Sequence, residues 1–169
     1  MTLLYALPYN RSVEGFFFQT IDQYRQASGG LADSFGQPVE EFEIQFIDGG
    51  QIDCELFEAW RVSQASLAAY LEAVDGWRLE HKMIFIIAVG SCGYASEEVT
   101  DDPERIDLDI YHVDSPRELA EQFVDEGLFG DIPDRLQPYL DYDAIARDLG
   151  IDGYDEVIVA GERLVYRCG

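Results

Sequence analysis

The spacing of hydrophobic and polar residues changes several times along this chain. Leu3 to Pro8 and Val13 to Thr20 carry the apolar and aromatic content of two strands, joined by Asn10-Arg11-Ser12. Thr20 or Asp22 can open a helix running to about Ser34, although Gly29-Gly30 weakens its end. Phe42, Ile44 and Phe46 alternate with Glu41, Glu43 and Gln45, the period of a half-buried strand with acids outward, and Asp48-Gly49-Gly50 closes it as a turn. Past Asp53 to Trp60 the period lengthens. Ser63 is placed to cap a helix through about Asp75, with Leu67, Tyr70, Leu71 and Val74 on its apolar face. Trp77 to Val89 reads as a second helix, although Ile84-Phe-Ile-Ile87 suits a buried strand equally well. Glu97-Glu98 and Asp101-Asp102 surround a turn at Pro103, and Ile106, Leu108, Ile110 and Val113 suggest a strand with Asp107, Asp109 and His112 on its other face.

The last third is the most explicit. Ser115-Pro-Arg-Glu118 places a capping hydroxyl, a proline at the first helical position and a glutamate at the third. Leu119, Ala120, Phe123 and Val124 then face inward, and Gly127 stops the helix. Ile132 to Tyr139 and Tyr142 to Leu149 read as two short helices, and Val157 to Ala160 and Leu164 to Tyr166 flank Gly161 as a hairpin. The pattern predicts an α+β fold of three small units in series. These are a β-sheet with one helix over residues 1–52, a mainly helical unit over 53–105, and helices with a C-terminal β-hairpin over 106–169.

Charge changes the picture most. The 169 residues hold 34 Asp+Glu against 11 Lys+Arg, a formal net charge of −23. Acid-rich disordered tails are poor in apolar residues, whereas 47% of this chain is hydrophobic and 13% aromatic, enough to build a core beneath the acids. A small soluble domain needs a net charge of only about 2–8, so solubility alone does not account for the excess; a high-salt host is the competing explanation. The net charge is −1 over residues 1–38, −8 over 39–80, −9 over 81–130 and −5 over 131–169. Duplex DNA carries one negative charge per about 1.7 Å of axis. The chain's charge therefore matches about 40 Å of duplex, roughly a dozen base pairs. Such a molecule repels nucleic acid and attracts a basic groove built to hold it.

Candidate chemistry is sparse. His81 and His112 lack a spacing that suggests paired ligation, and Cys92 in Gly90-Ser-Cys-Gly-Tyr94 has no basic neighbour to activate it. Asp107-Leu-Asp109, Asp141-Tyr-Asp143 and Asp148…Asp152-Gly-Tyr-Asp155 lack the ligand order of an EF-hand loop. No glycine-rich phosphate loop or basic patch is evident. No catalytic residue, metal or cofactor is expected. The rival readings are an acidic protein-interaction or calcium-binding module, and a small hydrolase using a carboxylate pair or Cys92. Met1 to Pro8 lacks the features of a signal peptide, Met83 to Val89 is too short to span a bilayer, and Cys54, Cys92 and Cys168 read as reduced thiols. A cytoplasmic location is expected.

The candidate partner-binding residues are acids of the three strongly negative segments: Glu40, Glu41, Asp48, Asp53, Glu58, Glu97, Glu98, Asp101, Asp102, Asp107, Asp109, Asp114, Asp125, Glu126, Asp131 and Asp134. They are expected to lie exposed and to act collectively.

The C-terminal third also carries a resemblance. Glu118-Leu-Ala-Glu-Gln-Phe-Val-Asp-Glu-Gly-Leu-Phe-Gly130, Ile132-Pro-Asp-Arg-Leu136 and above all Tyr139-Leu-Asp-Tyr-Asp-Ala-Ile-Ala-Arg-Asp-Leu149 resemble the ArdA family of antirestriction proteins. Tyr5-Ala-Leu-Pro-Tyr-Asn10, Gly15-Phe-Phe-Phe18 and Glu41-Phe-Glu-Ile-Gln-Phe46 agree more loosely, and Ile106 to Asp114 is a degenerate form of the family's acidic stretch. The resemblance implies an elongated protein similar to bent B-DNA in shape and charge. It also implies a head-to-head homodimer, carried on mobile genetic elements, that occupies the DNA groove of type I restriction–modification enzymes at their specificity and modification subunits. A dimer would match about 80 Å of duplex. Asp141, Tyr142, Asp143, Arg147 and Asp148 are expected instead to cap and pin the C-terminal unit, with Arg147 either an internal ion-pair partner or a dimer contact.

Overall fold

Alternating apolar residues near the N-terminus build a three-stranded antiparallel sheet from β1 (Leu3–Pro8), β2 (Phe16–Phe18) and β3 (Phe42–Asp48), in the order β2-β1-β3. The computed structural model describes residues 1–169 except Asp102, and Glu104 through its backbone alone. It divides into two compact units, Met1–Pro103 and Glu104–Gly169. The fold is α+β, with strand and helix elements in series and a hairpin at the C-terminus.

In the first unit, Leu4, Ala6, Phe18, Phe42 and Ile44 form the buried face of the sheet. Helix α1 (Ile21–Gly29) covers it with Tyr24, whose ring lies 5.1–6.0 Å from those of Phe16, Phe18 and Phe42. The Thr20 side chain caps α1 by accepting from the Gln23 amide. The helix ends five residues short of Ser34. Beyond Gly29-Gly30 the Asp33 carboxylate accepts from the Phe35 and Gln37 amides, and that local turn competes with helix. Strand β2 is likewise shorter than Val13 to Thr20, because Asn10 holds the preceding turn through the Ser12 and Val13 amides.

Four helices complete the unit: α2 (Gln51–Trp60), α3 (Leu67–Gly76), α4 (Leu79–Gly90) and α5 (Ser96–Asp101). Helix α3 starts after Ser66, not Ser63, and the Ser66 hydroxyl accepts from the Ser63 amide to shape the loop before it. The Ile84 to Ile87 run is helical. Met83, Phe85, Ile87 and Ala88 are all buried, so its apolar residues extend round more than one face and hide the helical period. Helix α5 precedes a 3-10 turn at Pro103–Arg105, where the sequence placed a turn. Trp60 anchors this layer, stacked on Trp77 at 5.7 Å and against Phe85 at 4.4 Å. Gln64 ties the layer to the sheet, donating to the Tyr24 hydroxyl and the Glu40 carbonyl while accepting from the Phe42 amide.

The second unit contains β4 (Leu108–Tyr111), α6 (Pro116–Asp125), a 3-10 turn at Gln137–Tyr139, α7 (Tyr142–Ile151), β5 (Tyr154–Val159) and β6 (Glu162–Cys168), with strand order β4-β6-β5. Ser115 caps α6 by accepting from the Glu118 amide, and Glu118 in turn accepts from the Asp114 amide. Leu119, Ala120 and Phe123 of α6 pack with Leu149 and Val165, and Tyr111, Tyr142, Ile145 and Tyr154 close round them. The helix expected over Ile132 to Tyr139 is reduced to the 3-10 turn, since Pro138 supplies no amide hydrogen to a longer one. The β5–β6 hairpin turns on Ala160 and Gly161, both at positive φ, as a two-residue loop matched to strand twist requires.

Candidate partner-binding surface

The acidic side chains follow from the amphipathic pattern. On β3 Phe42 and Ile44 are buried, which turns Glu43 outward beside the exposed Glu41, and on the short α5 only Val99 is buried. Among the described side chains, every Asp and Glu is exposed except Asp33, Asp53, Glu55 and Glu121. In the first unit Glu40, Glu41, Asp48, Glu58, Glu97, Glu98 and Asp101 are all exposed. In the second, Asp107, Asp109, Asp114, Asp125, Glu126, Asp131 and Asp134 are exposed. Asp102 lies outside the described residues.

Asp53 is a correction. Its side chain is 14% exposed and accepts from the Lys82 ammonium at 2.7 Å, which also donates to the Val74 carbonyl at 2.8 Å. The Tyr70 hydroxyl donates to the Asp53 carbonyl, completing a buried polar cluster between α2, α3 and α4. Asp53 holds helices together and does not face solvent as the other candidates do.

The remaining carboxylates are largely uncompensated. Asp107 aside, none of the exposed candidates is in an ion pair among the described residues. The first unit has 17 acids and 5 bases, net −12, and the second 17 acids and 6 bases, net −11. This field bears on neighbouring acidic groups. Burial pushes the Cys54 thiol up, and Glu58 and Glu55 push it further. The Tyr111 phenol is pushed up to about 12 by burial, then by Tyr154 and Asp109.

The C-terminal motif residues divide between two surroundings. Asp141 caps α7 by accepting from the Ala144 amide, and Asp143 accepts from Arg117 at 2.8 Å. Arg117 also reaches Glu121 and lies 6.0 Å from the centroid of the Tyr142 ring, so it bridges α6 and α7. Sequence reasoning left Arg147 either an internal ion-pair partner or a dimer contact, and it missed Arg117. Arg147 and Asp148 are exposed, and Arg147 makes no ion pair among the described residues. The signal for Arg117 was its spacing of four from Glu121 on a capped helix. Glu43, Asp152, Asp155 and Glu156 are further exposed carboxylates outside the predicted set, and the alternation of β3 signals Glu43.

Among the described residues, no three His, Cys, Asp or Glu side chains converge as they would around a metal ion. Cys54 is a free thiol, whereas Cys92 and Cys168 are not, which corrects the expectation of three reduced cysteines. Among the described residues, no helix is long and apolar enough to cross a membrane.

An α+β chain that turns nearly all its described carboxylates outward belongs to the class of strongly acidic folded proteins. The family of antirestriction protein ArdA matches residues 32–162. The chain belongs to this antirestriction family, whose action is directed against restriction–modification enzymes. No curated protein matches the sequence.

Proposed function

We propose that this protein stands in for DNA, inhibiting type I restriction–modification enzymes by occupying the groove in which their specificity and modification subunits grip the duplex. The observation that carries this reading is the outward placement of nearly all the described carboxylates on both units, whose net charges are −12 and −11. A cationic groove evolved for phosphates gains the same counterion release from carboxylates, and long-range attraction steers the encounter. The protein works as a homodimer in the cytoplasm of a cell that has received a mobile genetic element, and it catalyses no reaction. Its binding residues are the exposed candidates named above, acting together.

Competition tests this. Added to a type I methyltransferase holding labelled duplex, the protein displaces the duplex at low salt and does so at least tenfold less effectively when salt is raised fourfold. Neutralising Glu97, Glu98, Asp101 and Asp109 together weakens displacement by about tenfold, whereas each substitution alone changes it by less than about threefold. One substitution that abolished displacement would mean a discrete contact site in place of a collective field.

A further inference from the structure

The outer face of the first sheet leaves aromatic residues where the fold does not use them. Tyr5, on the central strand, lies opposite Phe17 of β2 and Gln45 of β3, and Leu7 lies opposite Glu43. Tyr5 and Glu43 are therefore diagonal neighbours on that face, about 7–8 Å apart and within reach of one long side chain. Phe17 is 62% exposed and its ring centroid lies 4.7 Å from that of Tyr5. The Tyr5 ring also rests against Gly15, where any side chain would collide with it. The two rings pack in contact across the strand pair, tilted 53° to each other, and form an aromatic platform.

The face has a definite electrostatic preference. Aromatic faces carry partial negative charge and attract guanidinium and ammonium groups. Here the platform sits beside an exposed carboxylate in a unit of net charge −12. That charge disfavours a nucleic acid, which would otherwise suit an aromatic sheet face. We propose that Tyr5, Phe17 and Glu43 form a receptor for one arginine or lysine side chain presented by the partner's cationic cleft. The receptor rests on the DNA-mimic reading and deepens it. At this point the protein grips its target by stacking, a contact that a phosphate ladder does not make and that salt weakens less than it weakens charge–charge attraction.

The affinity of the full-length protein for a purified type I methyltransferase, measured by competition, tests the receptor. Phe17→Leu keeps the apolar surface and removes the π face; it weakens binding about threefold to tenfold, whereas Phe17→Tyr stays within about twofold. Glu43→Gln weakens binding as well, and the double variant loses less than the product of the two single losses, because one cation touches both groups. Thermal unfolding checks the fold, and Glu43→Gln reads the same site if Phe17→Leu proves unstable. Wild-type affinity for both Phe17→Leu and Glu43→Gln, with the four-acid variant weakened, overturns the receptor and leaves the DNA-mimic reading standing. A four-acid variant that binds as tightly as the wild type overturns that reading itself. Loss of a dimer on Phe17→Leu, seen by sedimentation, would assign this face to a second copy and also overturn the receptor.

Discussion

Asp53 and Glu58 stand five residues apart on α2, which turns them to different sides of the same helix. Glu58 meets solvent; Asp53 meets Lys82 and a layer of buried aromatic rings. Removing one partner of a buried pair strands the other charge, which costs far more than the pair contributes. Lys82→Ala should therefore lower the unfolding free energy by about 3–5 kcal/mol in urea titration, while Glu58→Gln stays within about 0.5 kcal/mol. Near-wild-type stability for Lys82→Ala would mean that Asp53 finds water once the amine is gone. The sequence placed Asp53 with the outward acids because residue type is all that spacing displays. Its partner is 29 residues away, and no local pattern joins the two.

Elements were legible where one short motif controls them. Ser115-Pro116 with Glu118 starts α6, and the alternation of β3 sets which acids face outward, because each depends on neighbours within a few residues. That alternation shows Glu41 and Glu43 outward; the acids on helices and loops were named from residue type and local charge alone. Ambiguity arose where tertiary packing decides. Residues 84–87 are helical because α4 is buried between neighbours, not because of their spacing, and the run around Pro138 had too few amide donors for the helix that its apolar residues suggested. The platform of Tyr5 and Phe17 was invisible because it forms only when β1 and β2 pair. At this scale Ser115→Ala should cost about 1 kcal/mol of stability, the usual worth of a lost N-cap, measured by thermal or urea unfolding. A cost near zero would mean that Pro116 and Glu118 start the helix without the hydroxyl.

For the whole molecule, the same charge acts with opposite signs on folding and on binding. Both units repel themselves, and raising salt from about 0.02 to 0.5 M shortens the screening length enough to relieve that repulsion. The melting temperature should rise by several degrees across this range in scanning calorimetry, while affinity for a restriction–modification enzyme falls. A melting temperature that fell with salt would imply net attraction within the fold. The seclusion of Lys82 adds a separate consequence. It is the chain's single lysine, and it is 7% exposed. Every other basic side chain apart from histidine is a guanidinium, which stays protonated at any pH the fold survives. Acetyl- and other acyl-transferases that modify side-chain amines therefore find nothing to react with on this surface. A host cell cannot retune the molecule's electrostatics by that route.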